Sequence, residues 1–224
     1  MSELSGSVPA AVRSVSARRA WLTPWPAAVV TAMAVVLTGC SSEQVSADKC
    51  ESVTAPLSDI PTRTDQEPKM RLPVPEGWER STKMDSENIR FAIRNQGLAA
   101  DGFTPNAVVT LQKVASGIGK PEQILDAQNQ QLAKKLKVTD MNSTPAQVCG
   151  APAMSTSYTA PEVKVSPKIP PIPPRKATSL GVVYNAGDVT YVATVTVQSV
   201  KADNPTYVKD ADTILKGFQL LPAG

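Results

Sequence analysis

The stretch Thr190–Val200, TYVATVTVQSV, decides the fold. Tyr191, Ala193, Val195 and Val197 alternate with Thr190, Thr194 and Thr196, the period of a strand whose two faces differ. Its β-branched residues suit a pleated backbone. Just upstream, Ala186-Gly187-Asp188 reads as a hairpin turn and Ser179–Asn185 as the strand that enters it. Downstream, Asn204 is placed to cap a helix that has Pro205 in its first turn. Tyr207, Val208, Ala211, Ile214, Leu215 and Phe218 give that helix an apolar face, and Gly217 is expected to stop it.

The same reasoning extends toward the N-terminus. Val148–Tyr158 and Ala107–Val114 read as strands, the latter with Val109, Leu111 and Lys113 on one face. Ile89–Arg94 alternates apolar with polar, so one face is expected to be half buried. Met70–Val74 is a short strand before a Pro75-Glu76-Gly77-Trp78 turn. Pro121–Leu136 reads as a helix, with Ile124, Leu125, Leu132, Ala133 and Leu136 as its stripe and Lys134, Lys135 and Lys137 at its C-terminal dipole. The sum is a single α+β domain: an antiparallel sheet with one helix between strands and another near the end.

The N-terminal segment has a different character. Arg13, Arg18 and Arg19 precede an apolar run, Ala27–Leu37, which ends in Leu37-Thr38-Gly39-Cys40. That run is too short to cross a bilayer and has the length of a signal-peptide core. Residues 1–39 are therefore expected to be a lipoprotein signal, with Cys40 the acylated N-terminus that remains. Arg18-Arg19-Ala20-Trp21-Leu22 also resembles a twin-arginine export signal, although basic n-regions often contain paired arginines by chance. Acyl chains contribute roughly 0.8 kcal/mol per buried methylene, so two or three of them hold a protein at the membrane. Residues 40–68 read as a tether, polar at first and then Pro-rich and extended over the surface, ahead of a domain over 69–224. Setting Cys40 aside leaves Cys50 and Cys149, an even number in an oxidising compartment. A disulfide is expected in preference to two buried thiols.

The chain has no histidine, which removes the commonest general base, the commonest metal ligand and every histidine-based triad. Without residues 1–39 it is nearly neutral, with no basic stripe for nucleic acid. No cofactor or metal site is expected. Gly117-Ile118-Gly119-Lys120 superficially resembles a phosphate loop, but Val114 and Pro121 break the pattern. Ser46-Ala47-Asp48-Lys49 matches a serine–lysine spacing within the tether. Asp210 and Asp212 are expected on a solvated helix face. Pro167–Arg175 favours an extended polyproline form and is read as a stiff connection between strands, with a peptide-ligand role as the alternative. Aromatic residues make up only 4% of the chain, so a sugar-stacking platform has little material. Trp78 and Phe103 are the weak ligand candidates, Trp78 read as core or pocket mouth and Phe103 as an aromatic in the Asp101–Pro105 loop.

MRLPVPEGWER (Met70–Arg80), KPEQILDAQ (Lys120–Gln128), TYVATVTVQ (Thr190–Gln198) and ILKGFQLLP (Ile214–Pro222), in this order, resemble the LpqN/LpqT family of mycobacterial lipoproteins. The resemblance implies a PsbP-like fold, a curved antiparallel sheet packed with helices. It also implies a non-enzymatic protein held at the cell membrane on its outer side, with lipid or glycolipid handling in the envelope. A lipid or glycolipid ligand in an apolar groove between sheet and helix is the first expectation. An adaptor docking onto an envelope transporter or synthase is the second.

Overall fold

A computed structural model describes residues 45–164 and 170–224. The signal segment, Cys40 and Pro167-Lys168-Ile169 lie outside the described residues. Among the described residues the strands are β1 (Leu57–Ile60), β2 (Lys69–Pro73), β3 (Glu79–Arg80), β4 (Ile89–Arg94), β5 (Asn106–Val114), β6 (Thr139–Val148), β7 (Ala151–Ala160), β8 (Arg175–Ala186), β9 (Val189–Ser199) and β10 (Gln219–Leu221). Helix α1 (Pro121–Leu136) follows β5, and α2 (Pro205–Lys216) follows β9. All registered strand pairs are antiparallel, in a large sheet ordered β3-β4-β5-β9-β8-β7-β6 and a small one ordered β1-β2-β10. The α+β reading is borne out, with one helix between strands and one near the end.

Strand β9 is central, as its pattern requires. Tyr191, Ala193, Val195 and Val197 enter the main core, where α2 supplies Tyr207 and Ile214, the small sheet Met70, Leu72 and Leu220, and the link between them Phe218, which lies past the helix end rather than on its face. Thr194 and Thr196 point the other way, toward α1. Asn204 caps α2 by accepting the N–H groups of Thr206 (3.0 Å) and Tyr207 (3.2 Å) on Oδ1, a device worth about 1 kcal/mol. Gly217 ends this helix at φ −86°, outside the left-handed region. Space requires the glycine instead: an added Cβ would lie 2.4 Å from Val53 Cγ2 and 2.6 Å from Pro73 Cγ.

Several expectations are corrected. The strand read as Val148–Tyr158 starts at Ala151, because Cys149 (φ 50°) and Gly150 (φ 83°) form the turn of a two-residue hairpin. Ahead of them runs β6, which the sequence pattern did not disclose, mostly exposed and carrying Pro145 as an edge strand can. Strands β1 and β10 were likewise not anticipated. Ile60 in β1 is buried, so secondary structure begins ahead of Lys69.

Strand β4 is not half buried. Arg90, Phe91, Ala92 and Ile93 are all inside, with a register shift between Ile89 and Phe91. Arg90 makes a buried ion pair with Glu67, whose Oε2 also accepts the Arg63 N–H at 2.8 Å. The 63–67 turn thus covers the face that looked polar. Asp210 is buried too, accepting the Trp78 indole N–H at 2.8 Å, while Asp212 pairs with Lys216 on the surface.

Cys50 and Cys149 are joined by a disulfide. Ser46 N–H donates to the Cys149 carbonyl at 3.0 Å, so the chain is docked against the β6–β7 turn from Ser46 onward. A loop of that length removes about 4–5 kcal/mol of unfolded-state entropy in the chain-entropy argument.

Candidate functional site

Helix α1 crosses β7 and β8 on the face opposite α2. Its stripe touches down in two places. Ile124 and Leu125 pack on Val183 and Val192 near the N-terminus, and Leu132 packs beside Tyr158, Ala160 and Ala177 toward the C-terminus. Leu136 stays 56% exposed at the end. Between these contacts the sheet offers hydroxyls rather than apolar groups, so the helix spans a gap instead of sealing it. The gap is a cavity of about 340 Å³.

Thr110, Gln112, Thr156, Ser179, Thr194 and Thr196 form its floor, and Leu125, Leu132, Leu136 and Met154 its wall. Gly181 lies in the floor because the helix comes close there: a Cβ would sit 2.9 Å from Leu125 Cδ2. The groove expected between sheet and helix is present, but its lining is amphipathic rather than apolar. Threonine makes this compatible with a strand, since it keeps β-branching while adding a hydroxyl.

The polar groups are ordered but not saturated. Tyr158 Oη, Ser179 Oγ and Thr196 Oγ1 form a row with spacings of 3.3 and 2.9 Å. Two hydrogen bonds along that row use two of its three hydroxyl protons, leaving a donor and several lone pairs. Gln128 Nε2 donates to Thr194 Oγ1 at 3.1 Å, which leaves Gln128 Oε1 as acceptor and the Thr194 hydroxyl as donor. Asn129 Nδ2 donates to Thr156 Oγ1 at 2.9 Å. Among the described residues no charged side chain lines the cavity. Mixed donors and acceptors without charge match a polyol, in which each hydroxyl is both. They do not suit a bare phosphate or carboxylate, which needs cationic donors.

The residues singled out from sequence go elsewhere. Trp78 is core, and neither it nor Phe103 lines this cavity. Phe103 is half-buried with the Arg175 guanidinium 5.4 Å from its ring centre. Lys120 precedes α1, and its backbone N–H donates to Gln123 Oε1 at 2.9 Å, so the glycine-lysine turn serves to start a helix. The Ser46 hydroxyl faces Asp48 rather than Lys49, and that bond holds the exposed Asp48 carboxyl below its usual range. Among the described residues no group of three His, Cys, Asp or Glu is placed to hold a metal. Burial pushes the Tyr207 phenol up, which keeps it neutral in the core.

A larger hollow of about 730 Å³ flanks α2, walled by Pro56, Pro75 and Pro205. Its buried carboxylate, Asp210, is already engaged by Trp78. The α1 groove is therefore the better site: its floor has open valences of both kinds.

Comparison with known proteins agrees with this architecture. A family model described as "Probable lipoprotein LpqN" matches residues 53–221. The crystal structure of LpqN involved in cell envelope biogenesis of Mycobacterium tuberculosis is similar at 18% identity and a TM-score of 0.55, covering 75% of this chain and 91% of that one. Cyanobacterial PsbP (CyanoP) from Synechocystis is similar at 14% identity and a TM-score of 0.46, covering 76% of this chain and 96% of that one. No curated protein matches the chain. At such identities the LpqN likeness speaks for the fold.

Proposed function

The chain belongs to the LpqN family of lipoproteins, and on that premise we propose that it is an anchored cell-envelope lipoprotein that binds a glycolipid in the α1 groove. The observation that carries this is the uncharged hydroxyl and amide floor beneath an aliphatic helix wall. A sugar headgroup exchanges hydrogen bonds with the floor, and an alkyl chain leaves along Leu132 and the exposed Leu136. In this reading residues 1–39 are removed, Cys40 takes the acyl chains, and the few residues after it lead into a body that begins near Ser46 and is fastened at Cys50–Cys149. The protein works by binding rather than by catalysis. Among the described residues no helix is long and apolar enough to cross a membrane. The envelope role stated for the Mycobacterium tuberculosis protein supports the same assignment by family.

Titration of isotope-labelled protein with an alkyl maltoside, followed by amide NMR, tests it. Shifts are expected at Thr110, Thr156, Ser179, Thr194 and Thr196, with none from a phospholipid of equal chain length. An equal response to the phospholipid, or shifts confined to the α2 side, overturns the glycolipid reading.

A further inference from the structure

The floor of the groove does not stop at its hydroxyls. On β8, Ser179 and Gly181 line the cavity and Arg175 lies on the same face, four residues away, about 13 Å along a strand. On β9, Gln198 continues the row of Thr194 and Thr196. The three-stranded register puts Asn106, Gln198 and Ala177 side by side. Arg175 Nε donates to Gln198 Oε1 at 2.6 Å, and Gln198 Nε2 donates to Asn106 Oδ1 at 2.9 Å. These amides hold the guanidinium in place, and the Phe103 ring flanks it.

What the guanidinium lacks is a carboxylate. Arg71, Arg80, Arg90 and Arg94 each pair with an aspartate or glutamate, at every depth from exposed to buried, while Arg63, which pairs with neither, is exposed and donates to the Ser86 carbonyl at 2.6 Å. Arg175 pairs with none among the described residues, and its Nη1 is buried with no hydrogen-bond acceptor. An unmet donor on a half-buried cation is costly to keep, and a planar fork is suited to two parallel bonds from one oxyanion. Its electrostatic neighbour is the Tyr158 phenol, which itself lines the groove. Burial pulls the guanidinium down without bringing it near neutrality at physiological pH, so the charge stays.

We propose that Arg175 forms an oxyanion-accepting end to the groove, so that the preferred ligand is a sugar or glycolipid headgroup carrying a phosphate, sulfate or carboxylate. This rests on the glycolipid reading of the same groove and adds its charge. The hydroxyl floor receives the sugar, and Arg175, positioned by Gln198 and Asn106, receives the anion beyond it.

The experiment compares the affinities of the full chain for four probes: an alkyl maltoside, the same maltoside bearing a sulfate, a free sugar phosphate and inorganic sulfate. The sulfated maltoside is expected to bind at least tenfold more tightly than the neutral one, with the advantage shrinking as salt is raised. Arg175→Gln is expected to bring the ratio of the two close to one, and Arg175→Lys to restore part of it. An amide spectrum that keeps its dispersion shows that each variant is folded. Failure of both maltosides to bind removes the glycolipid reading itself. Binding of both with equal affinity leaves that reading standing and overturns the role of Arg175. Tight binding of the free sugar phosphate supports the anion end and identifies a soluble ligand as its source. Inorganic sulfate binding as tightly as the sulfated maltoside marks an anion site independent of the groove and overturns the proposal.

Discussion

The two faces of the large sheet are built from the same strands and do opposite things. Toward α2, β9 presents Tyr191, Ala193, Val195 and Val197, each at most 5% exposed, and the small sheet closes over them. Toward α1, the intervening Thr194 and Thr196 remain only partly buried under a helix that touches down at its two ends. One face spends its alternation on close packing, and the other keeps hydroxyls open for a ligand. Sheet and helix therefore do not make a groove merely by meeting. The groove exists because the residues under the middle of α1 cannot satisfy an apolar stripe.

The largest expected effect lies on the closed face. Ile214 is fully buried in the main core, so Ile214→Ala is expected to cost about 2–5 kcal/mol by lost transfer energy and the cavity left behind. Leu132→Ala, on the half-open helix, is expected to cost less than half as much. Urea unfolding of both variants checks the contrast, and equal losses would mean that α1 is packed as tightly as α2. Next in size is Val195→Thr, which puts a hydroxyl of nearly the same shape into the apolar face. It is expected to cost about 1–3 kcal/mol, because that hydroxyl leaves water with no partner. A neutral result would show that the core side tolerates polarity and would blur the distinction between the faces.

Much of this was legible in the amino-acid sequence where one element carried its own pattern. The Val/Thr alternation of β9 announced a two-faced central strand, and Pro121 and Asn204 marked where helices start. Strand β6 was hidden because an exposed edge strand holding Pro145 has no apolar period to show. Strands β1 and β10 are four and three residues long and exist by pairing with β2, a contact remote in sequence for β10. The site was harder. Thr110, Thr156 and Ser179 look like ordinary solvent-facing residues until α1 is laid across them. Trp78 reads as core or pocket mouth and Phe103 as a loop aromatic open to contact, but Trp78 is held in the core by Asp210 and Phe103 sits under Arg175. Arg175 itself reads as the end of a Pro-rich run, and only the β8–β9 register sets it beside Gln198.

The smallest stability effect separates the faces most sharply. Thr196 is the next residue after Val195, and Thr196→Val is the reverse exchange of shape-matched side chains. Its Oγ1 meets Ser179 Oγ at 2.9 Å, and Ser179 retains Tyr158 when Thr196 is changed. No polar group is stranded, and a partly exposed threonine loses little hydration, so stability is expected to stay within about 0.5 kcal/mol. Maltoside affinity, by contrast, is expected to fall about tenfold, the loss of one well-placed hydrogen bond to a ligand hydroxyl. Melting and titration of the same sample read both quantities. If Thr196→Val destabilises the fold as Val195→Thr does, the hydroxyl row is part of the structural core. If it changes neither stability nor affinity, the floor is ordinary surface and the ligand lies elsewhere.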